Sequence, residues 1–435
     1  MKKILLLTLA VLSFPTLAEI TIIKNVSGYT FTNERNLVTF SALAFEDGRV
    51  LKVGDKLLPS QYPNAKVVDG KGKVMLPGLV DGHGHLLGLG FNLLNVDVRD
   101  IASARETAKK VADYAAKNPN INWIKGRGWN QEVWASNEYP TAKQLDEYIA
   151  DRPVYLSRVD GHAAWLNTKA LELAGITKDT ISPPGGEILK DENGNPTGVL
   201  IDNAETLVMN KIPNPTKGEM TSALNKATKH LLSLGITSMH DAGIDHETYH
   251  LYKEHASSEK LAVRIYAMLS ATDPKLSEML KHGYVSDEND FLSIRSVKIY
   301  GDGALGSRGA ALLKPYHDDA DNVGLLVTSK EKLTPLFDEI LNHRFQINIH
   351  AIGDRANKIA LDEFERVFKS PESVLYSGKE LRHRVEHAQV VQPSDIPRFK
   401  QLNILPSMQP THATSDKDMA PKRIGNERLK GAYAW

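Results

Sequence analysis

The stretch LPGLVDGHGH, residues 76–85, divides the sequence into two patterns. Before it, residues 20–70 are rich in Val, Ile and Thr with short turns, which predicts antiparallel strands, and Asp47-Gly48 is a hairpin signal. After it, short apolar segments alternate with longer helical stretches. Repeated strand–helix units indicate parallel strands joined by right-handed crossovers, so we expect an open α/β sheet or a (β/α) barrel.

The second pattern contains seven predicted barrel strands, whereas a closed barrel needs eight. The predicted fold class is therefore α/β, a (β/α)8 TIM-type barrel that lacks strand 8 in this sequence, preceded by half of a small β-sandwich. Helices are predicted at residues 221–233, 330–343 and 357–368. The strands are predicted at residues 76–81, 235–240, 261–269, 294–300, 345–350, 381–387 and 403–408.

Residues 92–215 interrupt this alternation and are predicted to form an inserted subdomain. They contain four of the five tryptophans and a hairpin-like turn at residues 191–196. An insertion after the first strand lies where long loops build pockets in such barrels. The predicted domains are the N-terminal part of a β-sandwich at 19–75, the barrel at 76–91 and 216–435, and the inserted subdomain at 92–215.

Residues 1–18 have the layout of a secretory signal peptide: two lysines, an apolar run that ends at Phe14, and small residues before Glu19. The apolar run is too short to cross a bilayer as a helix. We therefore expect a periplasmic or secreted protein with no membrane contact after signal removal. Removal takes away two lysines and no acids, so the mature charge is 51 − 53 = −2.

The composition excludes several classes of function. The 435 residues include 53 basic and 53 acidic side chains without a long basic run, which argues against nucleic acid as a partner. Because the chain has no cysteine, it has no disulfide, thiolate metal site or cysteine nucleophile. Any metal must be bound by imidazole, carboxylate or a modified side chain. A small-molecule substrate is the expected partner, and an oligomer is compatible with the sequence.

Two histidines end the first predicted strand. His83 and His85 lie two residues apart on an extended segment, so their side chains project to the same face. Two imidazoles that converge at a strand end suit a divalent metal. The alternative is that they only decorate a glycine-rich loop. His240 and Asp241 end the second strand, either as partners of the metal ligands or as packing residues.

Three more ionisable side chains belong to later strands. Lys298 interrupts an apolar strand, and a buried ammonium must be paired with an acid, neutral or chemically changed. His350 and His387 each close a strand, where either one alone would be typical of a satisfied core histidine. The carboxyl ends of barrel strands meet at one mouth, so these three residues, with His83 and His85, form one candidate site.

The motifs and their order resemble the amidohydrolase superfamily, in the branch often called YtcJ-like or amidohydrolase-3. The likeness runs from about residue 20 to the end, and seven ordered motifs make it specific at family level. The motifs are residues 76–85, 126–129, 155–167, 235–243, 297–308, 349–354 and 383–389.

This resemblance implies a metal-dependent hydrolase. His83 and His85 would bind one metal ion, His350 and His387 would bind a second, and a Lys298 carboxylated by CO2 would bridge them. A hydroxide held between the ions would attack a carbonyl linked to nitrogen, with one ion polarising the carbonyl oxygen. Zinc is the default metal for imidazole and oxygen ligands, as one or two ions.

The sequence departs from the family pattern at its end. The family places an aspartate, which is a metal ligand and the general base, at the end of the eighth strand. No eighth strand follows here, and Asp416 and Asp418 lie in a loop after the seventh, so no catalytic residue is assigned. We expect a fragment of a longer protein rather than a truncated product with an open barrel, because nothing near the C-terminus resembles a cap for an exposed strand edge.

Clues to the substrate are few. Trp129 and His162 in the insertion could hold an apolar substituent, and Arg308, which follows the Lys298 strand, could bind a carboxylate. The alternative is that the tryptophans pack the insertion itself. The expected reaction is hydrolysis of non-peptide carbon–nitrogen bonds, linear amides above all. The alternatives are an inactive remnant that binds metal or another protein and, in the same class, a metal-dependent phosphoesterase.

Overall fold

The computed structural model describes residues 19–55, 58–159, 161, 163–183, 186–369 and 378–432. They divide into two compact units, one ending at Leu79 and the other beginning at Val80. The predicted signal peptide, residues 1–18, lies outside the described residues. Within the described ranges, no helix combines the length and the apolar character that a membrane span requires.

The first unit is a small sheet with one short helix. Its elements are β1 (Thr21–Phe31), β2 (Leu37–Glu46), β3 (Arg49–Gly54), α1 (Leu58–Gln61), β4 (Lys66–Asp69) and β5 (Val74–Met75).

The strand order of this sheet is β3-β2-β1-β4, with β5 also paired to β1. The predicted hairpin is confirmed, because β2 and β3 are antiparallel and Asp47 and Gly48 both have positive φ, at 48° and 73°. The prediction of antiparallel pairing throughout is wrong for β4, which runs parallel to β1. The chain between β3 and β4 passes through α1 and crosses over, instead of turning back as a hairpin.

The second unit begins with one strand and one helix, and a second sheet follows directly. The elements are β6 (Leu79–Gly84), α2 (Leu86–Leu94), β7 (Val96–Asp97), α3 (Ala104–Lys117), β8 (Ile124–Trp129), α4 (Ala142–Asp146), β9 (Val154–Arg158), β10 (Ala163–Leu166), α5 (Thr168–Ala174), β11 (Gly186–Lys190), β12 (Pro196–Asp202) and α6 (Thr206–Met209).

The inserted segment folds around its own six-stranded sheet, in the order β11-β12-β10-β9-β8-β7. The neighbours from β7 to β9 are parallel, and the remaining pairs are antiparallel. The predicted turn at residues 191–196 joins β11 to β12. This sheet belongs to the same compact unit as the elements that follow it, so the boundaries of an independent inserted domain stay a prediction.

Strand–helix alternation fills the rest of the chain. The elements are α7 (Lys217–Ser233), β13 (Ile236–Ile244), α8 (His246–Ser257), β14 (Arg264–Ser270), α9 (Leu276–Lys281), β15 (Val285–Ser286), β16 (Leu292–Tyr300), α10 (Lys330–Asn342), β17 (Gln346–Ala351), α11 (Asp354–Lys369), β18 (Arg384–His387), α12 (Ile396–Leu402), β19 (Leu405–Ser407), α13 (Thr411–Ser415) and α14 (Ala420–Arg428).

Six of these strands and β6 form a nearly closed barrel in the order β6-β13-β14-β16-β17-β18-β19, which confirms the predicted TIM-type architecture. The described residues supply no eighth parallel strand. The first strand begins three residues later than the predicted residue 76, at Leu79, because Pro77 lacks the N–H that a ladder requires. The buried run Ser296–Ile299 in β16 shows the two covered faces that parallel barrel strands have.

Trp129 packs inside the inserted sheet. Its ring lies 6.2 Å from that of Trp134 and 6.3 Å from that of Trp165, measured between centroids. The side chain is fully buried, and its Nε1 donates to the carbonyl of Leu156 at 2.7 Å. This placement matches the alternative in which the tryptophans pack the insertion.

We predict that Trp129→Ala lowers the free energy of unfolding by about 3–5 kcal/mol, because it removes a fully buried indole. Urea titration followed by circular dichroism measures this loss. Val133→Ala, at an exposed site in the same segment, is the control and should change stability by less than about 0.5 kcal/mol. Equal effects of the two substitutions would contradict a core role for Trp129.

Candidate functional site

Three strands bring four histidines together at their carboxyl ends. His83 and His85, at the end of β6, have ring centroids 5.8 Å apart, as the two-residue spacing predicts. The ring of His387, at the end of β18, lies 4.7 Å from that of His83 and 4.6 Å from that of His350 in β17. Residues separated by about 300 positions in the sequence are therefore neighbours at one mouth of the barrel.

His387 reaches this group because of an unusual backbone conformation. Successive side chains of a strand point to opposite faces, yet both Glu386 and His387 contact His83. His387 has φ = 74°, in the left-handed region that non-glycine residues rarely adopt. This turn at the strand end directs the imidazole to the same side as the preceding carboxylate.

Lys298 lies next to the histidines, in β16. Its side chain is buried, and burial lowers the pKa of the ammonium to about 8, with Glu386 opposing and Arg384 assisting the shift. Its charge also lowers the pKa of His85, after the larger effect of burial. Lys298 forms no ion pair with a carboxylate among the described residues, so burial remains the larger effect on the pKa of its amine.

Hydrogen bonds orient two of the imidazoles. Nδ1 of His83 donates to Oε2 of Glu386 at 2.5 Å, and Nδ1 of His387 donates to Oε1 of Gln409 at 2.5 Å. Burial and the neighbouring His350 hold the pKa of His387 well below its usual value, so that imidazole is neutral. Both rings therefore keep Nε2 for another ligand.

Asp302 anchors the loops around His350. Its buried carboxylate accepts hydrogen bonds from the backbone N–H groups of Ala311 at 2.8 Å, Ile352 at 2.9 Å and Gly353 at 2.8 Å. Its Oδ1 also lies 3.3 Å from Nε2 of His350. One side chain at the end of β16 thus fixes the segment that follows β17.

Asp241 holds the backbone directly after His85 from the neighbouring strand. Its Oδ1 accepts a hydrogen bond from the backbone N–H of Leu86 at 3.2 Å, and its Oδ2 accepts one from the Tyr252 hydroxyl at 2.5 Å. Complete burial raises the pKa of this carboxyl to about 6. Of the two roles open for Asp241, these contacts favour that of a partner to the residues at the end of β6.

The donor set fits a divalent cation. It consists of imidazoles and a buried amine, and an imidazole with a free Nε2 is a common ligand of such ions. In the part of the chain that the structure describes, however, no three His, Asp or Glu side chains are already placed to hold one ion. The histidines are gathered at ring distances of 4.6–5.8 Å but are not preset around one point.

A cavity of about 440 Å³ opens beside His85. Its wall carries the hydroxyls of Ser270 and Thr272 and the carboxylates of Asp245 and Asp273. Gly243 lines it with φ = 104°, and a Cβ there would lie 2.4 Å from the Tyr300 hydroxyl. The cavity is large enough for a small molecule and adjoins the imidazole cluster.

Three residues that contact the histidine cluster were not identified from the sequence. The ring of His412, in α13, lies 5.9 Å from that of His387, and burial lowers its pKa. His412 follows the seventh strand at the same mouth, so the rule that found His350 could have found it. Glu386 and Gln409 carry no such signal, because only the folded structure shows which ring nitrogen each one contacts.

The structure does not place the predicted substrate-binding residues together at this site. Trp129 lies in the core of the insertion, and His162 lies outside the described residues. Arg308 pairs with Asp318 at 3.0 Å, so its guanidinium is already bound to a carboxylate of the chain. Asp416, which was not assigned a catalytic role, accepts a hydrogen bond from Gln389 at 2.6 Å.

Known proteins are similar to this chain in sequence and fold. The family model described as "Amidohydrolase family" matches residues 66–435. Protein LONG AFTER FAR-RED 3 of Arabidopsis thaliana is 34% identical over 424 residues, 94% of this chain and 71% of the relative. Putative amidohydrolase YtcJ of Bacillus subtilis is 31% identical over 417 residues, 94% of this chain and 76% of the relative. An uncharacterized metal-dependent hydrolase from Pyrococcus furiosus superposes with a TM-score of 0.77 at 30% identity, covering 95% of this chain and 82% of that chain.

We predict that Asp241 makes the metal-free protein less stable as pH rises. Its folded pKa of about 6 exceeds the ordinary 3.8, so the folded state holds the proton more tightly. The stability from this group is complete below about pH 4 and is lost as pH rises through 6. Asp241→Asn cannot titrate, so its free energy of unfolding relative to wild type should rise by about 2 kcal/mol from pH 4 to pH 7.

Urea unfolding at a series of pH values, with chelator present, measures this difference. Asp113→Asn, which removes an exposed carboxylate from α3, is the matched control. Parallel pH profiles for Asp241→Asn and wild type would show that the carboxyl of Asp241 does not titrate as its burial requires.

Proposed function

The chain belongs to the amidohydrolase family, and from this premise we propose that it hydrolyses carbon–nitrogen bonds of small molecules, linear amides in particular. Family membership and the metal-dependent hydrolase with the same fold support a metal-dependent hydrolase in general. The bond class, the metal identity and the roles of individual residues are the finer parts of this proposal.

The observation that carries the proposal is the cluster of His83, His85, His350 and His387 around buried Lys298. Placing several imidazoles close together costs free energy, because their charged forms repel one another. Such a cluster is therefore more typical of a functional site than of a packed core. The low pKa of His387, to which burial and the neighbouring His350 contribute, is the signature of such crowding.

A divalent metal bound in this cluster, with zinc as the proposed ion, would polarise a substrate carbonyl and lower the pKa of a water molecule. The chain's own residues prepare that chemistry. His83 and His387 keep Nε2 for an ion because Nδ1 of each is held by Glu386 and by Gln409.

Lys298 is proposed to contribute as a carbamate. An amine reacts with CO2 only in its neutral form, and burial lowers the pKa of Lys298 to about 8, which makes that form abundant at mildly alkaline pH. The carbamate would replace a costly buried cation by an anionic oxygen ligand. The ring of Tyr300 lies next to this amine, with its centroid 5.3 Å from Nζ.

The cavity beside His85 is the proposed place for the substrate. It adjoins the cluster directly, and its hydroxyl groups from Ser270 and Thr272 can bind the polar atoms of an amide. Arg308 is not part of this proposal, because its guanidinium is paired with Asp318.

We predict that the purified protein binds one or two divalent ions and hydrolyses N-acyl amines. His83→Ala and His85→Ala should each lower amidase activity at least about 100-fold, because each removes an imidazole from the proposed metal site. Elemental analysis gives the metal content, and amine release from a panel of N-acyl amines gives the activity.

His282→Ala, at an exposed histidine that ends α9, is the matched control and should retain both metal and activity. Phosphotriesters assayed on the same preparation test the alternative chemistry. A protein that is folded and metal-loaded but cleaves only phosphotriesters would refute the proposed bond class, and a folded protein that binds no divalent ion would refute the metal site.

A further inference from the structure

The guanidinium of Arg384 is buried inside the barrel and connects β18 with three other strands. Its Nη1 donates to Nδ1 of His240 in β13 at 2.8 Å. Its Nη2 donates to the carbonyl of Gly82 in β6 and to the hydroxyl of Ser407 in β19, both at 2.8 Å. Because a buried guanidinium needs partners for its donors, these contacts fix the relative positions of the four strands.

Through its contacts with β6 and β19, Arg384 joins the two strands at the open edge of this barrel. These two strands are the ends of the strand order, and the described residues place no strand between them. Backbone hydrogen bonds of a sheet therefore do not join them directly. Arg384 bridges them from the interior, through Gly82 on one side and Ser407 on the other.

Glu386 carries the effect of Arg384 to His83. Nε of Arg384 lies 2.7 Å from Oε1 of Glu386, and Nη2 donates to Oε2 at 3.0 Å. The same Oε2 accepts the hydrogen bond from Nδ1 of His83 at 2.5 Å. A carboxylate paired with a guanidinium can only accept, so the proton of neutral His83 must lie on Nδ1 and the lone pair on Nε2.

The two ends of this chain of contacts converge on one residue. Arg384 binds the carbonyl of Gly82, which directly precedes His83, while Glu386 binds the ring of His83. The peptide bond before His83 and the side chain of His83 are thus held by two residues of β18. A purely structural ion pair would not need to contact both.

We propose that Arg384 and Glu386 are positioning residues that select the Nδ1–H tautomer of His83 and fix the direction in which its Nε2 points. Its consequence for metal binding rests on the proposed function, whereas the tautomer is a property of the metal-free protein. Removal of either residue should weaken metal binding by about 10- to 100-fold, the range typical for the partner of a metal-binding histidine.

The tautomer is measured first, in metal-free wild-type protein. Long-range proton–nitrogen correlation spectra of protein labelled with ¹⁵N-histidine, recorded at alkaline pH, distinguish protonated from unprotonated ring nitrogens. The signals of His83 are those lost in His83→Asn. We expect protonated Nδ1 in wild type, and a predominant Nε2–H form would overturn the proposal even if every variant failed to fold.

The variants then separate positioning from general stability. In Glu386→Ala the tautomer preference should be lost and the affinity for Zn²⁺, measured by competition with a chromophoric chelator, should fall by the stated factor. Glu386→Gln keeps an oxygen for Nδ1 of His83, so it should retain the tautomer and lose less affinity. Arg384→Met should weaken binding while Glu386 remains in place.

Arg366→Met is the matched control. This guanidinium pairs with Asp338 at 2.7 Å and Glu363 at 2.8 Å, on helices rather than at the strand ends. It should affect thermal stability but neither the His83 tautomer nor Zn²⁺ affinity. If Glu386→Ala binds Zn²⁺ as wild type does, the relay is refuted; if wild type binds no Zn²⁺ but shows the Nδ1–H tautomer, the proposed function fails and the positioning of His83 stands.

Discussion

Parallel strands in one barrel present all their carboxyl ends at the same mouth, and the site depends on this constraint. It brings the rings of His83 and His350 to 4.7 and 4.6 Å from the ring of His387, although the three residues come from separate parts of the sequence. The apolar residues of β16 and β17 contribute to this arrangement. They pack the strands against the helices, so that the polar side chains lie at the strand ends.

The interior of the barrel adds the direction of each side chain. Arg384 reaches β6, β13 and β19 from β18, and Glu386 holds the ring of His83. Buried ion pairs of this kind specify one arrangement, because any shift leaves a buried charge without its partner. Asp302 has a comparable role outside this network, since three backbone N–H groups depend on its carboxylate.

The barrel and the gathering of the five candidate residues at one mouth could be predicted from the sequence because both follow from simple periodicity: apolar strands that alternate with helices, and ionisable residues where strands end. The direction of β4 was missed, since a crossover through α1 has no turn signature. The environment of Trp129 could not be predicted, because the sequence does not distinguish a tryptophan in the core of an insertion from one that lines a pocket. The left-handed backbone of His387 was equally hidden, since residue 387 is not a glycine, the usual sequence signal of that conformation.

The central claim is that one fold gathers these residues to bind a catalytic cation. Anomalous diffraction at the zinc absorption edge, from crystals of zinc-loaded protein, tests it most directly. The account predicts anomalous density among the imidazoles of His83, His85, His350 and His387, with Lys298 in contact. Density confined to surface histidines, or the four imidazoles directed away from any bound ion, would contradict it.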